Sequence, residues 1–325
     1  MSTNPSNASV ALITGASGFV GSLLLGRLRR TGVTVRAFGR HPDKTRAVLS
    51  LSMSASELDA VDIYRGDAID GSGLPRALDG VDVAYYLIHS MERPPAGAAP
   101  FAAREQLAAE NFAAAAAASG VRRIVYLGGL VPRWDAGGSR HLRSRQHVEG
   151  ILLAAVPDSI ALRASIVIGA RSRSFRLMVR LVERLPVLTL PPWRSFHTQP
   201  IDERDLVAML AACADAPLGG RSLDVAGPDV LSYGEMLEQI AELMLVGRPA
   251  LGLGVSLTPV AARVAAAIAR EDPNLVLPLM EGLQGDLLPA DDRAAELLGV
   301  RLHRFPSAVE HALAEWERHE PLAAR

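Results

Sequence analysis

Two rhythms of apolar and polar positions take turns along the first half of the chain. Val10–Ala11–Leu12–Ile13–Thr14 is a short apolar run of β-prone residues, and a glycine-rich turn, Gly15–Ala16–Ser17–Gly18–Phe19–Val20–Gly21, follows it. Residues 22–30 cluster their apolar positions as a helix does, and 33–38 alternate as a strand does. The same reading predicts strands over 61–65, 81–88, 123–127 and 159–168, with helices over 74–78, 101–119 and 142–155. Gly120 ends the long helix, and its six alanines at 113–118 suit a close-packed face. Strand–helix alternation of this kind predicts an α/β fold with a doubly wound parallel sheet, covered on both faces. After Gly169 the rhythm changes: 202–213, 232–246 and 257–270 read as helices and 221–225 as a strand.

The glycines at 15, 18 and 21 follow a strand, open a helix and lead to a second strand within about 30 residues. That context reads as a Rossmann-type dinucleotide site. Gly15 permits the tight turn, Gly18 lets the backbone approach a pyrophosphate, and Gly21 lets the helix pack closely. The helix then offers unpaired N–H groups and its positive dipole end to phosphates. No acidic residue closes the second strand; the chain reads Arg36–Ala37–Phe38–Gly39–Arg40–His41. Arg40 can offer a fork to a ribose 2′-phosphate, with Arg36 or Lys44 assisting, so NADP(H) is preferred and NAD(H) remains possible. Asp67, in Gly66–Asp67–Ala68, suits either the adenine amino group or the capping of a turn.

Composition narrows the classes. Lys and Arg total 34 against 35 Asp and Glu, a net charge of −1, which gives no electrostatic case for nucleic acid. With 49% hydrophobic and 21% charged residues a wholly disordered chain is excluded. The single cysteine, Cys213, excludes an internal disulfide and a multi-cysteine zinc site, and reads as buried filler. No metal-ligand spacing stands out among the eight histidines. Residues 255–269 are too short and too interrupted to span a bilayer, and 1–9 are polar, without signal-peptide character. The expected organisation is a disordered tail over 1–9, a dinucleotide-binding domain over 10–226 and a smaller, mostly helical cap over 227–325, in a cytoplasmic protein. Segment 171–200 is expected to contribute to the substrate pocket. Its basic run Arg171–Arg176 reads as a solvated face or a helix start, although a resemblance to sugar-nucleotide enzymes of similar fold implies a substrate diphosphate contact there, and Pro191–Arg194 reads as an aromatic wall or core.

These stretches together resemble the extended and atypical short-chain dehydrogenase/reductase superfamily. The likeness is to its NAD(P)H-binding branch, which includes NmrA-like proteins and the accessory subunit of respiratory complex I. The matching stretches are TGASGFVG (14–21), VRAFGR (35–40), GD (66–67), AYYLIHSM (84–91), RRIVYLGGL (122–130), HLRSRQHVE (141–149), RASIVIG (163–169) and TQPIDERDL (198–206). Within the branch the chain is similar to bacterial proteins with a C-terminal domain of unknown function. The resemblance implies cofactor contacts from Gly15, Ser17, Gly18, Phe19, Val20, Gly21, Arg40, Asp67, Ala68, Leu87 and His89. It also implies a Ser after the fifth strand and a Tyr-x-x-x-Lys pair on the next helix, and here the chain departs. The fifth strand runs into Gly128–Gly129, while His141 and Arg145 stand where Tyr and Lys are expected.

Two functions follow from that departure. In one, His141 is the general acid of an NADP-dependent oxidoreductase on a small organic substrate, and Arg145 holds the cofactor ribose. Other proton carriers nearby are Tyr86, His89 and His147. In the other, the protein binds NADP(H) without turnover, as a redox sensor or assembly factor with a protein partner. A sugar-nucleotide epimerase or dehydratase is disfavoured by the missing Tyr and Lys.

Overall fold

The apolar run at the amino end forms β1 (Val10–Thr14), and the glycine turn leads straight into α1 (Phe19–Arg30). The computed structural model describes residues 9–88, 100–132, 140–190, 192–252, 285–320 and 322. Its elements continue with β2 (Thr34–Gly39), α2 (Pro42–Leu49), α3 (Ala55–Asp59), β3 (Asp62–Arg65), α4 (Leu74–Leu78) and β4 (Val83–Tyr86). Next come α5 (Phe101–Ala118), β5 (Arg123–Gly129), α6 (Arg140–Ala155), β6 (Ile160–Ala164), β7 (Val167–Ile168), α7 (Arg173–Arg184) and β8 (Leu188–Leu190). After a 3-10 turn at Pro192–Ser195 follow β9 (His197–Thr198), β10 (Ile201–Asp202), α8 (Glu203–Ala212), β11 (Arg221–Val225), β12 (Leu231–Ser232) and α9 (Tyr233–Leu243). The last described elements are β13 (Ala250–Gly252), α10 (Ala294–Leu297) and α11 (Phe305–Glu317).

Seven strands form one sheet in the order β11-β6-β5-β4-β1-β2-β3, with parallel pairing from β3 through β5. The expected doubly wound α/β architecture is therefore present. The order reverses between β1 and β4, the position where open α/β sheets receive ligands at their carboxyl ends. Before Gly169 two stretches differ from expectation. The single strand expected over 159–168 is broken. Ser165 donates its N–H to Val225 O, and Ile166 O accepts from Ile201, so β7 leaves the large sheet and pairs with β10. The stretch 42–59, for which no element was expected, holds α2 and α3. Pro42 starts the first, and a Ser54–Glu57 capping box starts the second.

The chain divides into two compact units. One holds the chain up to Gly128, Leu142–Leu162 and Val207–Leu223; the other holds Gly129–His141, Arg163–Leu206 and Asp224 onward. The core of the first gathers Leu12, Phe38, Leu74, Leu78, Tyr86, Phe112, Ile124, Val148 and Leu152. Within α5 the buried positions are Glu105, Ala108, Ala109, Phe112, Ala113 and Ala116, one face at helical spacing, so Ala113 and Ala116 of the alanine run are packing surface. At the amino end of β5 the buried Arg123 donates to Asp158 and to the carbonyls of Cys213 and Ala214. Cys213 is fully buried and its thiol is pushed up to about 12 by desolvation, as inert filler should be. The second unit packs α7, α9 and α11 around Phe175, Val179, Met236, Ile240, Phe305, Val309, Leu313 and Trp316. Among the described residues no helix is long and apolar enough to cross a membrane. The helix expected over 257–270 and the tail before residue 9 lie outside the described residues.

Candidate functional site

The turn after β1 is built by what its residues lack. Gly15 has φ +69°, a conformation side chains resist, and a Cβ there would come within 3.0 Å of Leu87 O. A Cβ on Gly21 would lie 2.3 Å from Gly15 O and 3.0 Å from Ala16 Cα, so α1 can start this close to the turn only with glycine. Gly18 is the residue before α1; its N–H closes the turn on Gly15 O at 2.8 Å, and its own carbonyl accepts from Ser22. No side chain caps α1 and no acidic residue lies in its first turn. The N–H groups at this helix start face no competing anion from α1 itself, which is the arrangement a phosphate needs. Ser17, Phe19 and Val20 are half-buried around the same turn.

Thr14 holds this cradle in register. It is fully buried, its hydroxyl donates to Tyr85 O at 3.1 Å, and it accepts the N–H of Leu87 at 3.0 Å. The carboxyl ends of β1 and β4 are thus tied by one side chain, and the Leu87 carbonyl lies beside Gly15. Sequence reading did not single out Thr14. On the other flank Thr14 pairs with Phe38, so Arg40 follows two residues beyond the end of the β1–β2 ladder and is exposed there. Lys44 is exposed in the first turn of α2. Arg36 is used elsewhere: it donates to the carbonyls of Ala77 and Asp79 and lies over the Tyr64 ring.

After β3, a Cβ on Gly66 would collide with Ser72 O and the Phe38 ring. Asp67 caps the following turn, its Oδ1 accepting from Ile69 N–H at 2.9 Å while its own N–H pairs with Ser72. Ala68 is buried in the core and its carbonyl accepts from Asn111 Nδ2 at 3.1 Å, a second contact the sequence did not suggest.

Of the proton-handling candidates, His89 lies outside the described residues, as does the His141 side chain, although residue 141 itself lies in the first turn of α6. Arg145 sits one turn further on, half-buried, and its carbonyl accepts from the Tyr126 hydroxyl at 3.3 Å. His147 is exposed on the same helix. Tyr86 is core: its ring meets Phe112 edge-on at 5.0 Å, and burial pushes its phenol above the usual range. Burial does the same to Tyr126. β5 ends on Gly128 and Gly129, without a hydroxyl.

In the second unit the basic run becomes the start of α7. Arg176 and Arg180 lie over the Trp316 ring at 4.2 and 4.9 Å, and both pair with Glu320. Trp193 packs edge-on against Tyr233 at 6.2 Å and against the unit's core, the bland alternative for the aromatic segment. The exposed His197 pairs with Asp286, and Gln199 bonds Gly227 O and lines a surface hollow with Leu288 to Arg293. A separate cluster brings together Glu203, His311 and Glu315. Burial and the neighbouring Glu315 carboxylate push the Glu203 carboxyl up to about 9.

Residues 15–158 match the family described as NAD(P)H-binding. A (4-alkanoyl-5-oxo-2,5-dihydrofuran-3-yl)methyl phosphate reductase of Streptomyces griseus is 27% identical over 315 residues, 93% of this chain and 98% of that protein. Subunit 9 of the NADH dehydrogenase (ubiquinone) 1 alpha subcomplex, a mitochondrial protein of Arabidopsis thaliana, is 24% identical over 72% of this chain and 58% of its own length. A solved short-chain dehydrogenase/reductase superfamily protein from Agrobacterium tumefaciens with bound NAD has a TM-score of 0.69 at 19% identity, covering 95% of this chain and 98% of that one.

Proposed function

We propose, from the premise that this chain is an NAD(P)H-binding member of the atypical short-chain dehydrogenase/reductase superfamily, that it is an NADP(H)-dependent oxidoreductase on a small organic substrate. The observation that carries the reading is the cradle: a glycine turn in which side chains at Gly15 and Gly21 would strain or collide, opening a helix that no side chain caps. These residues fit a dinucleotide pyrophosphate, with Gly15, Ser17, Gly18, Phe19, Val20 and Gly21 around it. Asp67 and Ala68 are assigned to the adenine side, and Leu87, His89 and Arg145 to the nicotinamide half. Bound there, the nicotinamide would supply the hydride chemistry, and the protein its orientation. In this reading His141 exchanges the proton with substrate and Arg145 holds the ribose. Support for a reductase comes from the Streptomyces relative, which aligns over nearly the full length of both chains. A cytoplasmic setting belongs to the same proposal.

NADP(H) is favoured by Arg40 at the end of β2 and by the lack of an acid there. Calorimetric titration with NADPH, NADH, NADP and NAD tests this. NADPH should bind at least tenfold tighter than NADH, and Arg40→Ser should remove the difference while leaving NADH affinity unchanged. A clear NADH preference overturns the cofactor assignment. A substrate panel followed by cofactor oxidation tests the chemistry, and His141→Ala should abolish turnover with binding intact.

One observation favours a second reading, a non-catalytic NADP(H) sensor or assembly factor. β5 ends in two glycines where the superfamily's hydroxyl residue is expected. Tight NADPH binding with no turnover across the panel would select this reading.

A further inference from the structure

Glu203 opens α8 in the second unit, its side chain only 5% exposed. His311 and Glu315 lie four residues apart on α11, hence on one face of that helix. His311 Nε2 is 3.5 Å from Glu203 Oε1 and 3.9 Å from Glu315 Oε2. One ligand atom from each of the three residues lies within 4.8 Å of the others. We propose that Glu203, His311 and Glu315 bind a divalent metal ion of the zinc class and so fasten the start of α8 to α11.

Geometry carries the proposal. An ion bound at roughly 2.0–2.2 Å in a tetrahedral site spaces its ligand atoms about 3.4 Å apart. The triangle needs little closing to reach that size. Charge points the same way. Two carboxyl groups this close, one of them buried, cannot both ionise without a compensating cation. Arg204, next to Glu203 in the chain, offsets part of that charge but directs its Nε and terminal nitrogen to Asp202. Asp202 is itself buried and adds negative charge beside Glu203. One imidazole nitrogen with two carboxylate oxygens suits zinc-class ions, whereas calcium and magnesium take all-oxygen shells. Access is open, because the His311 and Glu315 side chains are 37% and 27% exposed. Water can complete the fourth position. The proposal departs from the expectation of no metal ligands, and it does not depend on the dinucleotide reading.

The test uses tag-free full-length protein, stripped with chelator and dialysed. Zinc chloride is titrated calorimetrically and thermal unfolding is followed in parallel, on wild type, His311→Ala and Glu315→Gln. One equivalent should bind the wild type and raise its unfolding temperature. Each substitution should weaken binding at least tenfold, and magnesium at the same concentration should do neither. If His311→Ala fails to fold, Glu315→Gln, at the solvent edge of the cluster, carries the comparison. The proposal is overturned if the wild type takes up no zinc, or if the variants bind it as tightly as the wild type does.

Discussion

Adding a single methyl group at each of three glycines separates folding from ligand approach. At Gly21 a Cβ would stand 2.3 Å from Gly15 O, about 1 Å inside ordinary contact, and both it and Ala16 Cα are main-chain atoms that cannot rotate aside. Forcing that gap open costs about 2 kcal/mol by analogy with overpacked cores. For a chain of this size that is a fall of about 5 °C in unfolding temperature. At Gly18 the backbone is ordinary extended structure (φ −78°, ψ 168°), and the added Cβ meets one atom, Gly15 O, at 3.0 Å. A shift of a few tenths of an ångström relieves it, so Gly18→Ala should cost less than about 1 kcal/mol. If main chain at Gly18 approaches the pyrophosphate, however, the methyl group holds the ligand off. A loss of about 1.4 kcal/mol in binding is tenfold in affinity. Gly39 has open space around its missing Cβ and serves as control. Scanning fluorimetry and calorimetry with NADPH on the three alanine variants give the answer. Gly39→Ala should change neither quantity, Gly18→Ala mainly affinity, and Gly21→Ala both. A Gly18→Ala protein that binds NADPH as tightly as wild type would refute the argument that this main chain touches the ligand.

Three further expectations concern the frame around the cradle. Thr14→Val keeps the shape of the side chain but removes the hydroxyl that pairs with Tyr85 O and Leu87 N–H. It should lower stability by about 1–3 kcal/mol in urea unfolding, with Thr14→Ser largely restoring it. Arg123→Met removes a buried cation, its side chain 4% exposed, from Asp158 and two carbonyls, and should cost about 3 kcal/mol; Asp158→Asn, half-exposed, should cost less. In the α9 capping box the N–H and hydroxyl of Ser232 hold the Glu235 carboxyl below its usual range. A lowered folded-state value means the box contributes above the unfolded carboxyl value and is lost as pH falls through the folded one. Glu235→Gln should therefore flatten the loss of stability below about pH 5, and Ser232→Ala should cost about 1 kcal/mol near neutrality.

How far the sequence could be read depends on what each feature is made of. The cradle was legible because it consists of main chain, which every residue carries, and glycines at 15, 18 and 21 announce where side chains must be absent. The β1–α1–β2 context was legible for the same local reason, and the Ser54–Glu57 box that starts α3 could have been. Thr14 was not legible, because its partners lie more than 70 residues away and only the pairing of Ile13 with Tyr85 brings them near. Arg36 read as an assistant to Arg40 at the phosphate until α4 and the residue after it supplied carbonyls for it. The broken strand at Ser165–Ile166 depends on Val225 and Ile201, again distant in sequence. His311 and Glu315 show helical ligand spacing on their own, but their third partner lies on another helix, and two residues at that spacing are ordinary surface pairs. A site made by leaving side chains out is written in one stretch of sequence. A site made by bringing side chains in is written in several, and the fold must be known before they can be read together. The reaction class, which rests on side chains around the cofactor, therefore has to be tested by substitution, whereas cofactor binding was already implied by the first 21 residues.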